Sequence, residues 1–243
     1  MLKQIVQSFI HKFGYEVNKI RSWPLPNIPD AELYQPLFSP WLSKGEFAHY
    51  YELAAPKTLV SIDRCYVLYT LLRQTVNIAG DIWECGVYKG GTAAMIAACL
   101  KDRKPSKRLY LFDTFEGLPE TDSNEDLHRK GDFSDTTVEA VKHFVGYNDL
   151  CILRKGLIPE TFIGLESTNI AFAHIDVDIY KSILDCLHFI WPRLSFGGII
   201  VFDDYGFPSC PGARTAVDEF FSAQRCVPLC LPTGQAVVFK GVA

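Results

Sequence analysis

Ile170-Ala171-Phe172-Ala173-His174-Ile175-Asp176-Val177-Asp178-Ile179-Tyr180 and, further along, Gly197-Gly198-Ile199-Ile200-Val201-Phe202-Asp203-Asp204-Tyr205 decide the fold. Each is a short apolar run that ends in a pair of carboxylates. Apolar runs of this length bounded by turn signals read as buried strands. Between them Ile183, Leu184, Leu187, Ile190 and Trp191 recur at helical spacing across residues 181–193. Strand, helix, strand is a βαβ unit and predicts a parallel sheet covered by helices.

Ligands of such open sheets sit beyond the carboxyl ends of the strands, where Asp176, Asp178, Asp203 and Asp204 fall. Neighbouring strands run about 5 Å apart. If these two are neighbours, their carboxylates share one crevice and raise one another's pKa unless a cation neutralises them. Oxygen-only ligands favour a hard divalent ion, Mg²⁺ before Ca²⁺ or Mn²⁺. The competing reading is that strand ends are polar in any case. Two pairs on consecutive strand ends weigh against it. Asp203 and Asp204 also follow one another, so both can face one ion only if the strand ends before Asp204.

The region upstream opens with Glu84-Cys85-Gly86-Val87-Tyr88-Lys89-Gly90-Gly91-Thr92. Residues 82–85 read as a strand and 92–100 as a helix of strong helix formers. Glycines between them let backbone approach a ligand, and a helix N-terminus favours negative charge. The next strand, residues 109–112, ends at Asp113, an acid placed to take ribose hydroxyls. Together these point to an adenosine-containing cofactor. The nicotinamide pattern G-x-G-x-x-G fails at Tyr88, and the order Lys89-Gly90-Gly91-Thr92 is not a P-loop. A plain tight connection explains the glycine turn alone equally well.

With 243 residues the chain fits one large α/β domain or two small ones. A net charge of −4 gives no reason to expect nucleic-acid binding. The eight cysteines form no C-x-x-C pair, and Cys210, Cys226 and Cys230 lack zinc-motif spacing, so they read as free thiols in a reducing compartment. No run spans a membrane and no signal-peptide core begins the chain, which predicts a cytoplasmic protein.

Leu2, Ile5, Val6, Phe9, Ile10, Phe13 and Val17 predict an amphipathic helix, and residues 22–40, rich in proline and aromatic rings, an extended arm. These residues predict packing or a subunit contact, hence a homo-oligomer, ahead of a membrane-surface contact. The expected organisation is an N-terminal helix and arm over residues 1–57 and a catalytic domain over 58–243. Residues 58–77, 136–144 and 211–221 read as helices, 150–153 as a strand, 159–164 as a helical turn, and 226–231 with 236–240 as a closing hairpin. Residues 120–134 are polar, acidic and aperiodic, a candidate lid. His174 reads as a satisfied buried histidine more readily than as a base, and Arg64 as a structural ion pair more readily than as a ligand contact.

Four blocks stand in order: Glu84 to Gly91; Phe112-Asp113-Thr114-Phe115-Glu116-Gly117-Leu118-Pro119; Ile175 to Tyr180; and Gly197 to Tyr205, followed by Gly212-Ala213-Arg214 and Ala216-Val217-Asp218-Glu219-Phe220. As a set they resemble the macrocin O-methyltransferase family across residues 64–240. The resemblance implies a doubly wound, Rossmann-like class I methyltransferase sheet of seven strands with the last antiparallel. It implies S-adenosylmethionine as donor, Mg²⁺ or another divalent cation, and a hydroxylated small-molecule substrate, a sugar or glycosylated natural product. Glu84, Gly86, Tyr88, Gly91, Thr92, Asp113, Thr114, Gly156 and Asp176 would bind the cofactor. Asp176, Asp203 and Asp204 would bind the metal, with Asp176, then Asp178, as the general base. Catechol O-methyltransferases are similar in metal geometry but carry a lysine base where this chain has Ile179. The competing functions are a nucleotide-binding oxidoreductase and a non-catalytic binding protein on the same sheet.

Overall fold

The computed structural model describes residues 38–103, 106–224 and 226–241, together with Val6, Phe9, Ile10, Lys12 and Phe13. Most of the predicted N-terminal helix and the proline-rich arm, with the subunit contact read from them, lie outside the described residues. The chain divides into a unit Met1–Phe38 and a larger unit, Ser39–Ala243.

Its elements in order are a 3₁₀ turn Pro40–Leu42, α1 (Glu46–Ala54), α2 (Ile62–Thr75), β1 (Asp81–Cys85), α3 (Gly91–Arg103), β2 (Leu109–Asp113), α4 (Val138–Val145), β3 (Cys151–Lys155), a 3₁₀ turn Glu160–Phe162, β4 (Ile170–Ile175), α5 (Tyr180–Arg193), β5 (Leu194–Phe202), α6 (Pro211–Ala223), β6 (Leu229–Cys230) and β7 (Ala236–Phe239). The sheet order is β3-β2-β1-β4-β5-β7-β6. β1 to β5 run parallel, and β7 lies antiparallel to both β5 and β6. The sheet is the expected seven-stranded α/β sheet, with its last strand antiparallel.

Alternation along the strands supplies two apolar faces. Ile82, Leu109, Leu111, Ile199, Val201 and Val237 join one core with α1 to α4. Trp83, Phe112, Ala173, Ile200, Phe202 and Val238 join the other with α5 and α6. Every residue of α3 from Gly91 to Leu100 is buried, and only its last turn, Lys101 to Arg103, is charged, as befits a helix covered on both sides. α1, which no periodic signal marked, buries Phe47, Tyr50 and Ala54 in the same core.

The remaining differences from the sequence reading are at element ends. α2 begins at Ile62 rather than at Thr58, because the Thr58 hydroxyl accepts from Val60 N at 3.0 Å and holds the chain outside a helix. α4 begins after Thr137, whose side chain caps Ala140 N at 3.2 Å. No helix among the described residues is long and apolar enough to cross a membrane.

Strand order reverses between β1 and β4, which opens a crevice at their carboxyl ends. Gly86 follows β1 at φ 86°, and Asp176 follows β4 with its N–H on the Cys85 carbonyl at 2.8 Å. A Cβ on Gly86 would stand 1.7 Å from the Asp176 carbonyl oxygen. Backbone must separate there for any side chain to fit. We expect Gly86→Ala to lose about 3 kcal/mol or more of stability, from left-handed backbone and overlap together. Urea unfolding of the variant checks this, and an unshifted midpoint would refute it.

Candidate active site

A polar row crosses one face of the central strands. β1 and β4 pair Glu84 with His174, β4 and β5 pair His174 with Val201, and Asp203 lies two residues beyond Val201 on the same face. Gln235 directly precedes β7. Glu84, His174, Asp203 and Gln235 are all 0% exposed. His174 Nδ1 stands 3.0 Å from Glu84 Oε1, and Nε2 stands 3.5 Å from Asp203 Oδ1. Gln235 Nε2 donates to the same Asp203 oxygen at 2.8 Å. The Arg64 guanidinium pairs with Asp203 Oδ2, donates to Leu59 O at 3.1 Å and lies 4.6 Å over the Phe207 ring.

Buried charges persist only when paired. Burial alone would lower the His174 pKa, but the Asp203 and Glu84 carboxylates outweigh it and push the imidazole up to about 9. Burial would raise Asp203, but His174, Arg64 and Gln235 hold it below the usual carboxylate range. His174 is thus buried and ion-paired, but its Nε2 has no hydrogen-bond partner among the described residues, so the expected satisfied histidine is satisfied on one side only. Arg64 is a structural ion pair that also lines the cavity.

The other carboxylates lack such compensation. Burial, then Asp203, Asp204 and Asp178, push Asp176 well above its ordinary value. Burial and Asp204 do the same to Asp178. Asp204 is raised to about 6 by burial and Asp203, with partial relief from its bond to Asp176. Among the described residues, neither Asp176 nor Asp204 has a lysine or arginine at ion-pair distance. β5 ends at Phe202, so Asp203 and Asp204 both lie in the bend that follows, which meets the geometric condition for sharing an ion. Ligand atoms of His174, Asp176 and Asp203 lie within 4.8 Å of one another. Asp204 lies outside that group, but the carboxylates of Asp176, Asp203 and Asp204 together outnumber the positive charges beside them, and such hard oxygen donors fit a divalent cation.

These carboxylates border a cavity. Gly86, Tyr88, Gly91, Thr92, Asp113, Thr114, Gly156, Asp176, Asp178, Asp203 and Asp204 all line it, with the segment 58–60 as a further wall. Glu84 stands apart from that lining, buried behind it on His174. Asp113 Oδ2 accepts from Val87 N at 2.7 Å and Tyr88 N at 2.8 Å, and Oδ1 from Phe115 N at 2.7 Å. One carboxylate therefore pins the glycine turn to the end of β2. Tyr88, at φ 49°, is held through its hydroxyl to Asp135 at 2.7 Å and its carbonyl to Thr136 Oγ1 at 2.7 Å.

Over the mouth, Leu118 N donates to Asp132 O at 2.8 Å and Gly131 N to Leu118 O at 2.9 Å, closing the acidic loop on itself. Buried Asp126 accepts from Tyr180 N at 2.9 Å and ties the loop to the start of α5. Gln235, Asp126 and the 58–60 wall were not read from sequence. Gln235 has no local signal, and only its antiparallel position beside the end of β5 brings it to Asp203.

The sequence profile described as macrocin-O-methyltransferase (TylF) matches residues 56–232. The chain is 30% identical, over 67% of each protein, to the 8-demethyl-8-(2,3-dimethoxy-alpha-L-rhamnosyl)-tetracenomycin-C 4'-O-methyltransferase of Streptomyces olivaceus. It is 27% identical, again over 67% of each, to the demethyldecarbamoylnovobiocin O-methyltransferase of Streptomyces niveus. In fold it is similar to the O-methyltransferase NovP, with a TM-score of 0.69 and 23% identity over 76% of this chain and 83% of that one. It is also similar to CalS11, a calicheamicin methyltransferase, with a TM-score of 0.65 and 21% identity over 81% of this chain and 91% of that one.

The raised pKa of His174 sets a pH dependence. A group whose folded pKa exceeds its unfolded value contributes fully below the unfolded value and loses that contribution as pH rises through the folded one. In EDTA, stability should therefore fall between pH 6.5 and about 9, by about 3 kcal/mol. His174→Gln should be less stable below pH 6.5 and lack this slope. Urea titrations across that range measure both, and equal slopes in the two proteins would count against a buried imidazolium.

Proposed function

Because this chain belongs to the macrocin-O-methyltransferase family and is an S-adenosylmethionine-dependent O-methyltransferase, we propose that it methylates a sugar hydroxyl of a natural product with the help of a divalent cation. The observation that carries the metal part is the group Asp176, Asp203 and Asp204, whose carboxylates exceed the positive charge around them and border the cavity. The sugar part rests on the tetracenomycin relative, whose name places its methyl on a glycosylated product.

S-adenosylmethionine, when bound, supplies an activated methyl, and a divalent ion lowers the pKa of a hydroxyl it contacts. The chain supplies the rest. Asp113 and the glycine turn that it pins form the cofactor side, with Asp113 toward the ribose and Gly86, Tyr88, Gly91, Thr92, Thr114 and Gly156 as the wall. Asp176, Asp203 and Asp204 hold the cation, Mg²⁺ by the hardness of the donors. Asp178 lines the same cavity without belonging to that set, and its raised pKa suits a proton acceptor. Aligning oxygen, methyl carbon and sulfur contributes up to ~7–11 kcal/mol in the best cases. The loop clamped by Asp126 keeps water from the mouth. Free cysteines suit a cytoplasmic enzyme, and the N-terminal arm suits a homo-oligomer.

Methyl transfer from labelled S-adenosylmethionine to a panel of glycosylated aromatic polyketides and macrolides, with and without EDTA, tests this reading. Transfer to the aglycone, or transfer untouched by EDTA, would overturn it. Asp204→Ala should abolish metal-stimulated turnover while calorimetry still shows S-adenosylhomocysteine binding. Asp113→Ala should weaken that binding by about ten-fold, the scale of one lost charged hydrogen-bond acceptor. Unchanged affinity would remove Asp113 from the cofactor site.

A further inference from the structure

The acidic loop delivers one side chain to the site that the proposed methyl-transfer reaction does not use. Asp126 fixes where this loop lies. Its carboxylate holds Tyr180 N, and it packs so closely on Gly212 at the start of α6 that a Cβ there would come within 2.3 Å of Oδ1. Two residues on, His128 Nε2 stands 3.8 Å from Asp178 Oδ1. Cys210 Sγ, at the N-cap of α6, stands 3.6 Å from the same oxygen. The three ligand atoms lie within 4.8 Å of one another. They come from three separate elements: the clamped loop, the turn after β4 with Asp178 at φ 59°, and the entry to α6.

The surroundings suit a cation. Asp132 Oδ2 lies 3.2 Å from His128 Nδ1. When Nδ1–H donates to that carboxylate, the Nε2 lone pair is left free on the side of Asp178. A histidine oriented by a carboxylate on its far nitrogen is the arrangement by which proteins fix metal-binding imidazoles. Cys210 is 3% exposed, and Asp178 has no lysine or arginine at ion-pair distance among the described residues. Nitrogen, sulfur and a single carboxylate oxygen form a softer donor set than the three carboxylates beside it, and Zn²⁺ takes such sets with tetrahedral geometry.

We propose that His128, Asp178 and Cys210 form a second cation site, selective for Zn²⁺ over Mg²⁺, next to the cavity that Asp178 lines. Binding releases the Cys210 thiol proton to solvent and forms a sulfur–zinc bond. The bound ion ties the loop to the body of the enzyme. It also occupies the carboxylate that the methyl-transfer reading uses as proton acceptor, so on that reading Zn²⁺ inhibits while Mg²⁺ activates.

The whole chain is titrated with Co²⁺, a spectroscopic substitute for Zn²⁺, with Mg²⁺ in excess to fill the all-carboxylate group. The expected result is one equivalent of Co²⁺ with a near-ultraviolet thiolate charge-transfer band, abolished by added Zn²⁺. Cys210→Ser should remove the band, and Cys230→Ser, at an exposed thiol, should keep it. His128→Gln, a change on the surface loop that leaves both cores intact, should weaken Co²⁺ by about ten-fold or more. No thiolate band in the wild type, a band that survives Cys210→Ser, or an affinity unchanged by His128→Gln would overturn the site. The titration contains neither methyl donor nor acceptor, so it can fail while methyl transfer stands, and the reverse.

Discussion

Carboxylates buried at the carboxyl ends of adjacent parallel strands set the terms for the rest of this protein. The parallel β1, β4 and β5 must end side by side for the crevice to exist, and the acids that end them cannot all be ionised without compensating charge. The chain compensates Asp203 from three directions, with His174 from β4, Gln235 from the turn before β7 and Arg64 from α2. Glu84 in turn balances His174. Asp176 and Asp204 keep no such partner among the described residues, and their raised pKa values record that deficit. The contrast separates two kinds of buried acid. Asp203 is anchored by the fold, whereas its neighbours are left with unspent charge facing a cavity.

The same crowding explains where glycine is needed. Gly86 is fixed by contact between two backbones, since the Asp176 carbonyl occupies the place of its Cβ. Gly91 is fixed by the Thr58 backbone, which would lie 2.4 Å from an added Cβ. One glycine lets β1 and β4 close upon each other, and the other lets the segment 58–60 lie against the start of α3. Both glycines line the same cavity as the Asp113 carboxylate, whose bonds to Val87 N and Tyr88 N order the turn between them. Ordering the turn before a ligand arrives removes a cost that binding would otherwise carry.

The acidic loop contributes differently. Its internal bonds between Leu118, Gly131 and Asp132, and the bond from Tyr180 to Asp126, make it a docked wall with a definite shape. It thereby carries His128 to Asp178 and brings Phe133 to the ring of Tyr88 at 5.7 Å. The two sequence relatives are named for different acceptors, a rhamnosyl-tetracenomycin and a demethyldecarbamoylnovobiocin. A wall made of surface loop can change in sequence with little effect on the strand ends beneath it.

Period and punctuation in the sequence were enough for the sheet. The two apolar runs ending in paired aspartates, the helical spacing between them and the glycine turn after residue 85 specify a parallel α/β unit because side-chain period follows directly from backbone geometry. They also specify that Asp113, Asp176, Asp178, Asp203 and Asp204 share one edge. Sequence did not reveal α1, whose buried face is read only against α3, or the late start of α2, where a threonine side chain competes with the helix. It placed Glu84 with the cofactor residues, whereas the strand register turns it onto His174. Gln235, Arg64 and Asp126 acquire their partners from 32, 139 and 54 residues away. No local pattern encodes such pairings, because which buried charge meets which donor depends on register and packing between elements distant in the chain.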